Sequence, residues 1–180
     1  MHLKMIVASL VLVAAPAFAA DSGFFVAGSA GRVHAKTDTA PGTSANDSYP
    51  TWAIGGGYRF NQYVGLEASY RDYGQLKTQS GVAWSTADLT GWTYGGFVAY
   101  PVADAIELTA RAGWNRWQSE WRHSTGANGT LNGTEPYWGA GLSYSVTPKA
   151  AVGANWTRFK SAYASTDDAN VFEIVLQYRF

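Results

Sequence analysis

The chain contains no cysteine, so no disulfide framework can hold it together. Its 13 basic residues are matched by 13 acidic ones, which removes the one-signed electrostatic footprint a nucleic-acid partner would need. Beyond residue 19 there is no apolar run approaching the ~20 residues of a membrane helix. Clustered His, Cys or Asp residues are lacking too, so no metal site and no cofactor are expected. Outside the first residues the only histidines are His34 and His123, and no Ser–His–acid triad can be assembled around either. Charged residues make up only 14%, whereas aromatics reach 15% and there are 20 glycines. That balance fits a β protein whose surface is not mostly in contact with water.

Residues 1–19 have the three parts of a secretory leader. Lys4 supplies positive charge, Met5 to Ala15 form an apolar run, and Ala17-Phe18-Ala19 is an A-x-A cleavage signal. The competing reading, a membrane helix, is too short for ~30 Å of hydrocarbon and is followed at once by Asp21-Ser22. Residues 20–180 then form one domain.

Within that domain, segments of alternating character predict strands near 23–34, 50–60, 63–74, 88–100, 105–117, 136–146, 150–160 and 171–180. Short connections are expected at Asn61-Gln62, Pro101 to Asp104 and Thr147-Pro148-Lys149. Long polar loops are expected at about 35–49, 75–87, 118–135 and 161–170. Short turns at one end and long loops at the other describe an all-β, eight-stranded antiparallel up-and-down barrel. Strands near ten residues long suit a tilted transmembrane barrel better than a soluble sheet. The last segment, Val171 to Phe180, must then pair with the first to leave no open edge in lipid.

One parity of these strands carries no charge: for example Trp52, Ile54, Tyr58 and Phe60; Val64, Leu66 and Tyr70; Phe172, Ile174, Leu176, Tyr178 and Phe180. The other parity is dominated by Gly, Ser and Ala with isolated charges. A water-facing exterior would be rich in Lys and Glu, so the small-residue face belongs in the crowded interior of an eight-stranded barrel and the apolar face in lipid. Aromatics gather towards both strand ends, as interfacial girdles should: Tyr58, Phe60, Tyr100 and Tyr144 at the short-turn end, Trp52, Tyr70, Trp92, Trp114 and Trp156 towards the loops. Arg158 falls on the apolar parity, so that strand is expected to end or bulge there.

The interior parity collects Arg59, Arg71, Arg111 and Arg179 against Glu67, Glu107 and Glu173. Glu67 and Arg71 lie ~13 Å apart along one strand, so partners must come from other strands or across the lumen. Two readings follow: a structural ion network that plugs the barrel, or a gate that opens a narrow pore when pairs switch. The loop at 118–135 is the place for a binding function. There Trp117 and Trp121 are expected to extend a hairpin beyond the membrane, offering an exposed edge or an aromatic contact. Asn128-Gly129 and Asn132-Gly133 read as tight turns at its tip.

Ala53-Ile54-Gly55-Gly56-Gly57-Tyr58-Arg59-Phe60-Asn61, followed by Val64-Gly65-Leu66-Glu67-Ala68-Ser69-Tyr70, resembles the second hairpin of OmpA-like transmembrane barrels. Ala112-Gly113-Trp114, Tyr137-Trp138-Gly139-Ala140-Gly141-Leu142 and Tyr178-Arg179-Phe180 continue the likeness over most of residues 20–180. The resemblance implies a Gram-negative outer-membrane protein, exported through the periplasm, escorted by periplasmic chaperones and inserted by the β-barrel assembly machinery. Tyr178 and Phe180 match that family's terminal assembly signal. Outer-membrane lipids and lipopolysaccharide are its implied surroundings, a monomer its expected state, and a host or surface ligand is left open. Asn155 stands where such barrels often carry Glu, and the sequence given has no peptidoglycan-binding domain after the barrel. The reading is a non-enzymatic barrel with an envelope-integrity or adhesin-like role. A narrow porin-like channel is the alternative, and a lipid A-modifying enzyme the third.

Overall fold

A segment with one apolar and one small-residue face can satisfy its backbone in lipid only by lateral pairing, and eight such segments pair here until the sheet meets itself. The computed structural model describes residues 22–40, 43–80, 83–160 and 168–180. The expected leader, residues 1–19, and most of the fourth expected loop lie outside the described residues. The strands are β1 (Gly23–Ala40), β2 (Thr43–Arg59), β3 (Val64–Ser80), β4 (Ala83–Ala103), β5 (Ile106–His123), β6 (Asn128–Ser145), β7 (Ala150–Phe159) and β8 (Ala169–Arg179). Each pairs antiparallel with its neighbours in sequence, and β8 closes onto β1 from Phe25↔Arg179 to His34↔Asn170.

The pleat assigns the faces as the composition predicts. Even-numbered residues such as Ile54, Leu66, Val98, Leu142, Ile174 and Leu176 are about half to two-thirds exposed on the outside. Odd-numbered residues point inward, where Arg59, Arg71, Thr93, Thr109, Thr157 and Glu173 are buried. Interior glycines make room for rings: a Cβ on Gly57 would lie 2.6 Å from the Phe25 ring, and one on Gly65 would collide with the Phe97 ring.

Three of the expected long loops are largely strand. β1 and β2 pair up to Ala40↔Thr43, β3 and β4 up to Ser80↔Ala83, and β5 and β6 up to Arg122↔Asn128. Above the membrane both faces of a ribbon meet water, so the apolar alternation vanishes while the backbone ladder continues. The β5–β6 turn is Ser124 to Ala127, closed by His123 N–H donating to Ala127 O at 2.9 Å, with Gly126 at φ 85°. Neither Asn128-Gly129 nor Asn132-Gly133 is therefore a turn: both lie within β6, the first opposite Arg122 and Trp121, the second opposite Gln118 and Trp117. Pro101 likewise belongs to β4, beside an irregularity between Pro101 and Ala103, rather than to the turn.

β7 does not bulge at Arg158 but ends one residue beyond it, at Phe159, in register with β6 throughout. Arg158 sits beside Trp138, one step above Trp156, where its guanidinium reaches Asp168 at 2.8 Å.

Candidate functional site

Parity brings all seven charged residues named from the sequence into the lumen, and closure stacks them in three layers. Nearest the short turns, Glu107 accepts from Arg59 through two bonds of 2.9 and 2.5 Å, and Arg179 lies 3.5 Å from the same carboxylate. The Arg59 guanidinium also rests 5.2 Å from the centre of the Phe97 ring. In the middle layer Arg111 stands 3.4 Å from Glu67, which also faces the Tyr137 hydroxyl at 3.5 Å. Turned to satisfy both ends of its amide, Asn155 accepts from the two terminal nitrogens of Arg111 at 3.2 Å. An amide oxygen thus occupies the place where the resemblance led one to look for a carboxylate.

The third layer is the tightest. Arg71 grips Glu173 in a fork of 2.5 and 3.0 Å, and Ser29 Oγ donates to the same carboxylate at 2.9 Å. The Arg71 and Glu173 side chains are only 7% and 2% exposed, so removing either partner would strand a charge away from water.

Above that layer Val33, Tyr73, Tyr137, Phe159 and Val171 form a buried apolar cluster across the lumen. Arg71 sits 5.7 and 5.6 Å from the Tyr73 and Phe159 ring centres, so the cluster is joined to the ions beneath it. Phe25, Phe97 and Ala99 make a second cluster lower down. The sequence reading did not include these inward aromatics, although their odd numbering was the available signal. Among the described residues the lumen holds cavities of about 60 and 30 Å³. Glu67, Arg111, Asn155 and Val175 line both, so the middle layer stands between them.

The girdle residues all lie on the outer face. Trp52, Tyr70 and Trp92 form a chain of ring contacts at 6.0 and 5.5 Å, and Trp156 meets Trp138 edge-on at 4.8 Å. Tyr58 contacts Phe60 at 5.6 Å and also Phe24 at 4.9 Å, a β1 ring not named from the sequence. Trp114, Tyr100 and Tyr144 are about half exposed or more. Tyr178 and Phe180 touch at 5.4 Å, and Phe180 N–H donates to Phe24 O across the seam.

Beyond the girdle the barrel wall divides. The β2–β3 ladder stops at Trp52↔Asp72 and the β6–β7 ladder at Tyr137↔Phe159, while β3–β4, β4–β5 and β5–β6 continue. A four-stranded sheet, β3 to β6, therefore rises separately from the β1–β2 ribbon. It parts from β2 at an irregularity around Gly74, whose φ of 85° suits glycine and whose N–H is capped by Asp72 Oδ1 at 2.7 Å.

Trp117 and Trp121 do extend this hairpin, but as packing. Each indole lies over a glycine of β6, with a Cβ on Gly133 or Gly129 falling 2.7 Å from the ring. Trp117 is buried, so it offers no aromatic contact to a partner. The edge is what remains: among the described residues, no strand pairs with the far side of β6 from Asn128 to Glu135.

The histidines are apart. His34 packs its ring 5.9 Å from Phe172 on the outer face, whereas His123 faces Thr125 Oγ1 at 3.0 Å at the hairpin tip. Among the described residues there is no group of three or more potential metal ligands.

This geometry agrees with what the chain is similar to. Outer membrane protein A from Escherichia fergusonii is 23% identical over 135 residues, and that from Serratia marcescens 24% over 140. Each match covers 69% of this chain but only 38% and 37% of those relatives' lengths. Among solved structures, Ail of Yersinia pestis, the attachment invasion locus protein crystallised with the heparin analogue sucrose octasulfate, superposes with a TM-score of 0.66 at 15% identity, covering 89% of this chain and 99% of that one. Neisserial surface protein A gives the same TM-score and identity over 88% and 98%. The barrel domain of Pseudomonas aeruginosa OprF gives 0.55 at 14% over 87% and 99%. At these identities the structures show the shared fold alone. A family model described as the outer membrane protein beta-barrel domain matches residues 5–180, and the chain belongs to that family of bacterial outer-membrane barrels.

Proposed function

We propose that this protein is a surface-interaction module of the outer membrane, adhesin-like in kind, in which a plugged barrel anchors a projecting sheet. The observation that carries the reading is the edge of β6 from Asn128 to Glu135, with which no strand pairs among the described residues, held above the girdle on a sheet braced by Trp117 and Trp121. A strand edge of this kind offers main-chain donors and acceptors to an extended partner segment. Its polar outer face, with Gln118, Glu120, Thr130 and Asn132, keeps the sheet soluble while the edge stays available. The lumen supports an anchoring rather than a conducting role, since ion layers and ring clusters fill it. No arrangement of His34 or His123 supports an enzyme. We read residues 1–19 as the export leader, and the outward Tyr178–Phe180 pair as the signal read by the assembly machinery.

Replacing residues 119–131 with Asn-Gly would join the paired positions Gln118 and Asn132 by a tight turn and remove the projecting hairpin. The shortened protein should migrate as a folded, heat-modifiable barrel, and cells displaying it should lose adhesion to surfaces or host cells. Unchanged adhesion with a folded barrel would overturn the proposal.

A narrow channel is the second reading, favoured by two cavities that share the Glu67–Arg111–Asn155 layer as a wall. Planar-bilayer recordings decide between them: reproducible single-channel steps in the native protein, altered in Glu67→Ala or Arg111→Ala, would replace the plugged barrel with a gated pore.

A further inference from the structure

The charges just above the upper girdle are unevenly distributed around the barrel. On the β7–β8–β1 arc, Arg158 follows Trp156 up the outer face of β7, Lys160 lies exposed just past that strand's end, and Arg32 stands beside Phe172 in the β1–β8 register. Two strand spacings, about 10 Å, separate β7 from β1, and Arg158 stands about 7 Å further along the strand direction than Arg32, so the long cationic side chains share one arc of the surface. Arg32 and Lys160 are exposed, and no ion pair among the described residues engages either. Among the described residues Arg158 is held by Asp168 through Nε alone, at 2.8 Å. The opposite arc, β2 to β4, presents Asp72 and Asp88 at and above this height. Both are occupied in local hydrogen bonds, Asp72 with Gly74 N–H and Asp88 with Gln75.

Directly beneath the cations lies an apolar bed. Phe172 and Ile174 are more than half exposed on β8, and Trp156 is fixed by its Nε1–H donating to Asn170 Oδ1 at 3.2 Å and by Trp138 at 4.8 Å. Arg158 stands one residue pair above Trp156 and Arg32 level with Phe172, where headgroup phosphates meet acyl chains, and arginine binds phosphate with paired, charge-assisted bonds.

We propose that Arg32, Arg158 and Lys160 form a binding site for the phosphates of an outer-leaflet phosphoglycolipid, whose acyl chains lie over Phe172 and Ile174. Asp168 competes with the phosphate for Arg158, so it sets the site's affinity.

The full-length protein, folded in detergent and mixed with bisphosphorylated lipid A, provides the test by native mass spectrometry. Wild type should retain the lipid, and R32Q/R158Q/K160Q should retain it at least tenfold less. R116Q, which removes the isolated cation above Trp114 on the opposite wall, should retain it as wild type does. Asp168→Asn should bind more tightly than wild type, which keeps the site testable if the triple variant folds poorly. Equal retention by wild type and a folded triple variant would overturn the site. So would equal retention of lipid A stripped of both phosphates, or an equal loss in R116Q.

Discussion

At the scale of single residues, the lumen shows how a sequence can disclose its charged members without disclosing their partners. Arg59, Glu67, Arg71, Glu107, Arg111, Glu173 and Arg179 are legible because their parity sets them among Gly and Ser, where no water-facing strand would put them. Their pairings are not legible, because Arg71 reaches Glu173 across 102 residues and Arg59 reaches Glu107 across 48, contacts set by the stagger of the closed sheet. The same limit hides the answer at Asn155, which completes the Arg111 layer with a neutral oxygen. Burial then ranks the pairs. Glu173→Ala leaves Arg71 without its carboxylate and should cost about 3–5 kcal/mol in urea unfolding from lipid vesicles. The double variant Arg71→Met/Glu173→Leu should regain most of that loss, because it removes both buried charges together. Glu120→Ala, whose 4.0 Å contact with Arg122 is more than half exposed, should cost less than about 1 kcal/mol. A Glu173→Ala penalty no larger than that of Glu120→Ala would mean water reaches the third layer.

At the scale of the strand, the membrane decides what can be read. Inside it, alternation is strong enough to locate all eight strands and both faces, because one side must be apolar and the other small. Above it, Gln118 to Glu135 has no apolar period, and polar residues with two Asn-Gly pairs imitate loop chemistry. The ladder nonetheless continues, and its cross-strand Trp–Gly seats at Trp117↔Gly133 and Trp121↔Gly129 are a pairing pattern, invisible until the register is known. Depth should therefore govern the cost of a charge along β6. Leu142 lies between Tyr144 of the lower girdle and Trp138 of the upper, half exposed to lipid. Leu142→Arg should reduce folding stability by about 2–4 kcal/mol and lower outer-membrane yield. Asn132→Arg, on the same face and same strand but above the girdle, should insert normally. Similar yields for the two variants would contradict the placement of β6 in the bilayer.

At the scale of the whole molecule, the outstanding constraint is closure: each strand has two paired neighbours within the membrane, and the last ladder to be satisfied joins the two ends of the barrel. That seam follows from the apolar stripe of Phe172 to Phe180 alone, since an open edge in lipid is too costly. Its tightness does not, because it depends on Gly31. This residue faces inward on β1 opposite Glu173, and a Cβ there would fall 2.7 Å from the Glu173 Cα and collide with the Phe172 carbonyl oxygen. A larger side chain can be admitted only by moving β8 outward, which would also pull Glu173 away from Arg71. Gly28, on the same strand and bonded to the same neighbour opposite Leu176, faces lipid, and a Cβ added there would meet nothing within 4 Å. Gly31→Leu should therefore lose at least about 1–3 kcal/mol and shift the population towards the unfolded, slowly migrating form on unheated gels. Gly28→Leu, which adds only lipid-facing apolar surface, should fold at least as well as the native protein. If both variants fold equally, the seam has slack, and closure rests on the lipid-facing stripe rather than on the fit between Gly31 and Glu173.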